Sequence, residues 1–180
     1  MREPSWRAAP DFDPCHADFI DQSLLELAPR VQALGGRLVV VEGEVVDVLD
    51  QLHTAWPFER LLSHEETGND LSFQRDRAVK AWAQRSGVVW TEHAQHGVFR
   101  PLPERDGWAA RWRRRMNEPL TPTPKALRAP EVALPFTVPL GDLETHAHPR
   151  RQLGGEAAAR ETLRSFLRER GQEYATQMSS

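Results

Sequence analysis

The sequence predicts an α/β fold: an incomplete, doubly wound parallel sheet, then a proline-rich connector, then one closing amphipathic helix. Three observations predict it. Helix-type and strand-type segments alternate through residues 16–92 with only a few residues between them, the order that right-handed crossovers in a parallel sheet require. RLVVVEG holds an unbroken apolar run from Leu38 to Val41, which is how a strand covered on both faces reads. Nine of the 14 prolines fall within residues 93–155, where little regular period survives, so that stretch is a connector and not a loop inside a compact domain.

The elements follow in order. In DFDPCHADFIDQSLLELAPRVQALGG the residues Phe19, Ile20, Ser23, Leu24, Leu27, Val31 and Leu34 recur at helical spacing, and Gly35-Gly36 end the helix. Pro29 sits inside this pattern and is expected to kink or split it. The RLVVVEG strand comes next. EVVDVLDQLHTAW then puts Val45, Val48, Leu49 and Leu52 on one helical face, and Pro57 closes it. FERLLSH is a second strand. Beyond the polar loop EETGND, Ser72 is placed to cap a helix running to Arg85, with Ala78, Val79 and Trp82 facing inward and Gly87 as its stop. VVWT is the third strand. Three strands are fewer than a parallel sheet with two covered faces normally has, hence the incomplete sheet. The connector holds one short helix, GWAARWRRRMN. Residues 156–170 form the last helix, with Ala159, Leu163, Phe166 and Leu167 along one face.

Composition excludes some classes. Hydrophobic residues at 39% and charged residues at 27% are those of a globular chain. No stretch approaches a membrane span, and MREPSWRAAP lacks an apolar signal core. The single Cys15 excludes an internal disulfide and points to a reducing cytoplasm. It reads either as a reactive thiol or as a small buried filler. The net charge of −3 divides into −7 over residues 1–92 and +4 over residues 93–180, so the second half is better suited to an anionic partner.

Ligands of open parallel sheets sit beyond the carboxyl ends of the strands. Three polar clusters fall there: Glu42-Gly43, Ser63-His64-Glu65-Glu66 and Thr91-Glu92-His93. HEETGN is either a loop whose carboxylates bind a polar ligand or ordinary turn chemistry with solvated carboxylates. His93-x-x-His96 and His146-x-His148 have local metal-ligand spacing, but no cysteine cluster or HExxH supports them, and no metal is assigned. The GxGxxG, GxxxxGK[ST] and GxSxG signatures are absent. WAARWRRRM sets Trp108 and Trp112 among Arg111, Arg113, Arg114 and Arg115. It reads as a surface for nucleic-acid phosphates and bases, or as an amphipathic helix that buries both indoles with its arginines in water.

Taken in order, EPSW, FDPCHADFIDQSL, ALGGRLVVVEGEVVDVL, HEETGNDLSFQRDRAVKAW, WTEHAQHGVFRPL and RDGWAARWRRRM resemble the DNA photolyase and cryptochrome family. The match runs through nearly all of residues 3–180 and is weakest over 120–150. GGEAAARETLRSFLRERGQEYATQMSS is similar to the start of that family's helical flavin domain. The resemblance implies a Rossmann-like α/β antenna domain over residues 1–92, an interdomain connector over 93–155, and the first helix of an FAD-binding domain over 156–180. Met1-Arg2 stands where the family's second strand ends, so the chain is expected to be a fragment that lacks the first strands and most of the flavin domain.

What the resemblance implies for function follows from that. Intact relatives use FAD and blue light to split pyrimidine dimers in DNA, or to sense light. Tyr174, in RGQEYATQ, matches a tyrosine that contacts the flavin phosphates. Glu42, His64, Glu65 and Glu66 lie on the side where some relatives hold a folate or flavin antenna chromophore. Trp82, Trp90, Trp108 and Trp112 do not match the family's tryptophan electron chain, and no residue here is assigned a catalytic role. One phosphate contact contributes about 1–3 kcal/mol, far below what micromolar binding needs. The fragment is therefore expected to keep no cofactor and to be inactive alone. Two other functions stay open: a stand-alone nucleotide- or chromophore-binding module, and one half of a split photolyase whose flavin domain is a separate chain.

Overall fold

The computed structural model of the 180-residue chain describes residues 1–94, 97–98, 104–132, 134, 137–143 and 151–178. In chain order the elements are α1 (Pro4–Arg7), α2 (Pro14–Ala33), β1 (Val40–Val41), α3 (Val45–Ala55), β2 (Arg60–His64) and α4 (Asp70–Ser86). Then come β3 (Val89–His93), α5 (Trp108–Met116), β4 (Thr137–Val138), α6 (Glu156–Ser165) and α7 (Tyr174–Gln177), with a π-helical turn at Phe166–Arg170. The chain forms two compact units, each drawn from several stretches. The first takes Met1–Trp6, Glu42–Thr123 and Val132–Pro135, and the second Arg7–Val41, Pro124–Glu131 and Phe136–Ser180.

In the first unit, β2 and β3 pair in parallel, from Arg60 opposite Val89 to His64 opposite His93. The connection between them is α4, as the alternating pattern requires. The core is Leu49 of α3 with Val79, Trp82, Ala83 and Val88, and Val45, Phe58, Leu61 and Trp90 pack on it. These are the faces that the helical period of residues 45–52 and 78–82 marked out. Trp82 is its anchor, 1% exposed, with its indole N–H donating to Asp50 at 3.0 Å. The cap of α4 differs from the sequence expectation. Asn69 caps it, its side chain accepting from the Ser72 N–H at 3.2 Å, while the Ser72 hydroxyl donates back to the Asn69 carbonyl. Asn and Ser are comparable N-caps, but it is Asn69 that holds the extended backbone, φ −88° and ψ −174°, that the position needs. At the other end Gly87 adopts φ 69°, the left-handed cap that a side chain resists. An isolated parallel bridge joins Arg2 to Glu42.

In the second unit, α2 begins at a capping box: Asp13 accepts from the Cys15 N–H at 2.8 Å, and its own N–H donates to His16 Nδ1. Cys15 is half-buried, and the hydrogen bond to Asp13 pushes its thiol up, away from the thiolate. Pro29 neither splits α2 nor ends it. It lies on an exposed flank of the helix, as does Leu25, whose carbonyl loses its helical partner to the proline. Of the predicted inward stripe, Phe19, Ile20 and Leu27 are exposed, and α2 buries Asp18, Asp21 and Ala28.

The single parallel sheet expected of RLVVVEG, FERLLSH and VVWT is corrected. β1 pairs antiparallel with β4, Val40 opposite Val138 and Val41 opposite Thr137, and not with β2. Both valines are buried, as an unbroken apolar run demands. Hydrophobicity fixes that burial but carries no information on the partner or its direction. The last helix forms over α6 and the π-turn, and its apolar stripe is largely open: Leu163 is 57% and Leu167 71% exposed. Among the described residues, no helix is long and apolar enough to cross a membrane.

Candidate functional site

The first unit carries a cavity of about 900 Å³ at the carboxyl ends of β2 and β3. One wall is α4. From the Asn69 cap onward, Phe73, Arg77, Lys80 and Gln84 recur every three or four residues and face the cavity together with Asp76 and Ala81. The floor is Trp90 of β3, whose indole N–H donates to the Ser63 hydroxyl of β2 at 3.0 Å and is thereby fixed in orientation. The ladder runs one residue past β2, with the Glu65 N–H donating to the His93 carbonyl. This aims Glu65, Glu66 and Glu92 at the mouth.

The Glu66 carboxylate also organises its own loop. It accepts from the Thr67 and Gly68 N–H groups at 2.9 and 2.8 Å. Turn chemistry and cavity lining are therefore properties of the same side chain. Behind it, Arg75 donates to Glu3 at 3.2 Å and through two nitrogens to Asp76 at 3.3 Å, and lies 3.7 Å from Glu66. Four carboxylates thus line the cavity against two cations, Arg77 and Lys80. Burial pushes the Asp76 carboxyl up despite the pull of Arg75. Burial, then Asp76 and then Glu65, push Glu92 up against the pull of Lys80.

A raised carboxyl pKa means that the folded state holds its proton more tightly than the unfolded chain. Stability therefore falls as pH rises from the unfolded glutamate value, about 4.3, through the higher folded one, and the loss is complete above that. Glu92→Gln is expected to raise the urea midpoint at pH 7 and leave it unchanged near pH 4. An equal gain at both pH values would mean that Glu92 acts by packing and not by charge. With four carboxylates against two cations, the cavity favours a ligand that presents N–H donors or positive charge beside an aromatic face.

The structure brings only part of the sequence-derived site together. Glu65 and Glu66 line the cavity. His64 ends β2 opposite His93 and is exposed, outside the lining. Glu42 is exposed at its bridge to Arg2, also outside it. Tyr174 belongs to the second unit, 50% exposed, with its ring edge-on to Phe166 at 5.4 Å. Sequence reasoning missed Phe73, Asp76, Arg77 and Lys80. Their signal was present as a second stripe of α4, offset from the Val79–Trp82 face. His96, His146 and His148 lie outside the described residues. Among those described, no group of three or more His, Cys, Asp or Glu side chains gathers as a metal site. The indoles of Trp108 and Trp112 are not buried as the amphipathic alternative expected: they are 42% and 41% exposed and stack at 6.3 Å, 30° apart.

The DNA photolyase family model matches residues 2–124, more than half of the chain. The chain belongs to the DNA photolyase family. Among curated proteins no match is found. Solved photolyases and cryptochromes share its fold. A bacterial class III photolyase from Agrobacterium tumefaciens is 19% identical, with TM-score 0.68, covering 92% of this chain and 37% of that one. A Synechocystis cryptochrome is 18% identical, with TM-score 0.72, over 97% and 41%. An archaeal photolyase from Sulfolobus tokodaii, solved with two FAD molecules and discussed as implying a novel light-harvesting cofactor, is 17% identical, with TM-score 0.63, over 93% and 39%. This photolyase-family chain therefore spans about two fifths of their length.

Proposed function

We propose that the first unit is the light-harvesting module of a photolyase-type system, holding a planar aromatic chromophore with ring N–H donors at the ends of β2 and β3. The observation that carries this is the strand-end cavity itself: an indole fixed by Ser63, a phenyl ring, and carboxylates around the mouth. The chromophore would supply absorption of light. The chain's own residues bind and orient it, with Trp90 and Phe73 against its face and Glu65, Glu66 and Glu92 on its N–H edge. A second chromophore in the Sulfolobus tokodaii photolyase supports the same division of labour. FAD-dependent repair of pyrimidine dimers in DNA, or blue-light sensing, is in this proposal performed only together with a flavin-bearing helical domain. The open stripe of Leu163 and Leu167 supports that need for a further surface.

The test is an absorption and fluorescence titration of the purified chain with a reduced folate, with a flavin mononucleotide and with FAD. Saturable uptake of one of them, abolished by Trp90→Ala and weakened by Glu66→Gln, is the expected result. Uptake that survives Trp90→Ala would move the site elsewhere. No uptake of any of the three overturns the proposal and favours an interaction protein instead.

A further inference from the structure

We infer that α5 is a single-stranded nucleic-acid contact, in which Arg113 holds a phosphate and the Trp108–Trp112 stack takes an unpaired base. This does not rest on the chromophore assignment, since it uses residues outside the cavity. Helix α5 carries four arginines and no acidic residue over Trp108–Met116. At about 100° of rotation per residue, Trp108, Trp112 and Met116 form one stripe. Arg111 and Arg115 fall along one edge of it, and Arg113 falls along the other. The indoles are thus flanked by guanidinium groups on both sides.

The two edges are in different states. Arg111 donates to the Glu104 and Asp106 carbonyls, and Arg115 to the Ala94 carbonyl and to Glu118, so that edge ties α5 to its own surroundings. On the other edge Arg113 is exposed and engages no described residue, and it is the phosphate-binding group; Arg114 falls on the opposite face of the helix, away from the stack. Trp112 lies over Gly97, whose lack of a side chain makes room for the indole. One edge of the stack is thereby seated and the rest left in solvent, an unusual state for two large apolar groups. Positive charge beside an exposed aromatic face complements a strand with free bases better than a closed duplex, because the π-faces of paired bases are already stacked.

The experiment uses the full chain and a fluorescein-labelled oligothymidylate, with a duplex of equal length as the second probe. Binding of the single strand is expected to weaken with salt, at about 0.7 logarithmic units per phosphate held. Arg113→Gln should weaken binding several-fold at low salt and flatten the slope by about 0.7 units, while Arg114→Gln, on the opposite face, should leave the slope unchanged. Trp108→Ala should weaken binding while leaving the slope unchanged, which separates stacking from charge. Equal binding of duplex and single strand, or single-strand binding unaffected by Arg113→Gln, overturns the assignment. So does a dimer abolished by Trp108→Ala with no oligonucleotide bound, which would give the face to a second copy.

Discussion

Trp82→Ala is expected to cost the first unit about 3–5 kcal/mol, the usual penalty for emptying a large aromatic site in a core. Against a total stability of about 5–15 kcal/mol, that is from about a fifth of it to all of it. Trp82 touches the core on several sides at once. It packs edge-on to His53 at 5.8 Å and against Phe58 at 6.0 Å, and it donates to Asp50. These contacts bind α4 to α3, and α4 is also the cavity wall. Truncation should therefore weaken ligand uptake as well as stability. Trp82→Phe is the control. It keeps most of the apolar volume and loses only the donor to Asp50, a carboxylate that water can reach, so its cost should be about 1–2 kcal/mol. Hydrogen exchange of the α4 amides reads this unit by itself, which matters because a chain of two units need not unfold in one step. A loss below about 1 kcal/mol for Trp82→Ala would mean that α4 is held by something other than this core.

Gly154→Ala should be the most damaging small change in the second unit. Four consecutive backbone N–H groups at the start of α6 are taken up by one face of α2. The Gly154 N–H donates to Gln22 at 2.7 Å, that of Gly155 to Ser23 at 2.9 Å, and those of Glu156 and Ala157 to Glu26 at 3.1 and 3.2 Å. These are the groups that a helix start leaves without internal partners, and here a neighbouring helix satisfies them. Glu26 does so with negative charge where the helix dipole favours it. Arg30 then pairs with Glu156 on the flank, an exposed bridge of small weight.

So close an approach leaves no room for a side chain. A Cβ on Gly154 would overlap the Phe19 carbonyl, which is backbone and cannot turn aside. One on Gly155, at φ 102°, would meet the Glu26 carboxylate. The alanine must push α2 and the start of α6 apart and break several of the four hydrogen bonds together. At about 1 kcal/mol each, and more for those to Glu26, the loss is about 3–4 kcal/mol of the hold between α2 and α6. Glu26→Ala removes only the two bonds of the cap, about 2 kcal/mol. Exchange at the Gly155 amide, whose acceptor Ser23 neither change removes, checks the order. If Glu26→Ala exposes it more than Gly154→Ala does, the close-approach account is wrong.

Much of this was legible in the residues themselves. The helical period over 45–52 and 78–82, the stops at Pro57 and Gly87, and the apolar run at 38–41 are local patterns, and local chemistry answers them. The family, too, could be read from an ordered series of short segments. Glu65 and Glu66 were legible as strand-end residues. Their cavity partners on α4 were not singled out, because the stripe of Phe73, Arg77 and Lys80 mixes charge with apolar surface and does not stand out as a face until the sheet beneath it is known.

What the sequence by itself determined is where the chain turns helical, where it extends, and which residues avoid water. What only the tertiary structure decided is who meets whom. It paired β1 with β4, 97 residues further along and antiparallel. It used Gln22, Ser23 and Glu26 to cap a helix some 130 residues away. It also left Trp108 and Trp112 in the open. Periodicity and capping arise from neighbours a turn apart, so they are written in adjacent letters. Pairing, burial and exposure are set by competition among distant surfaces, and no stretch of sequence contains its competitor.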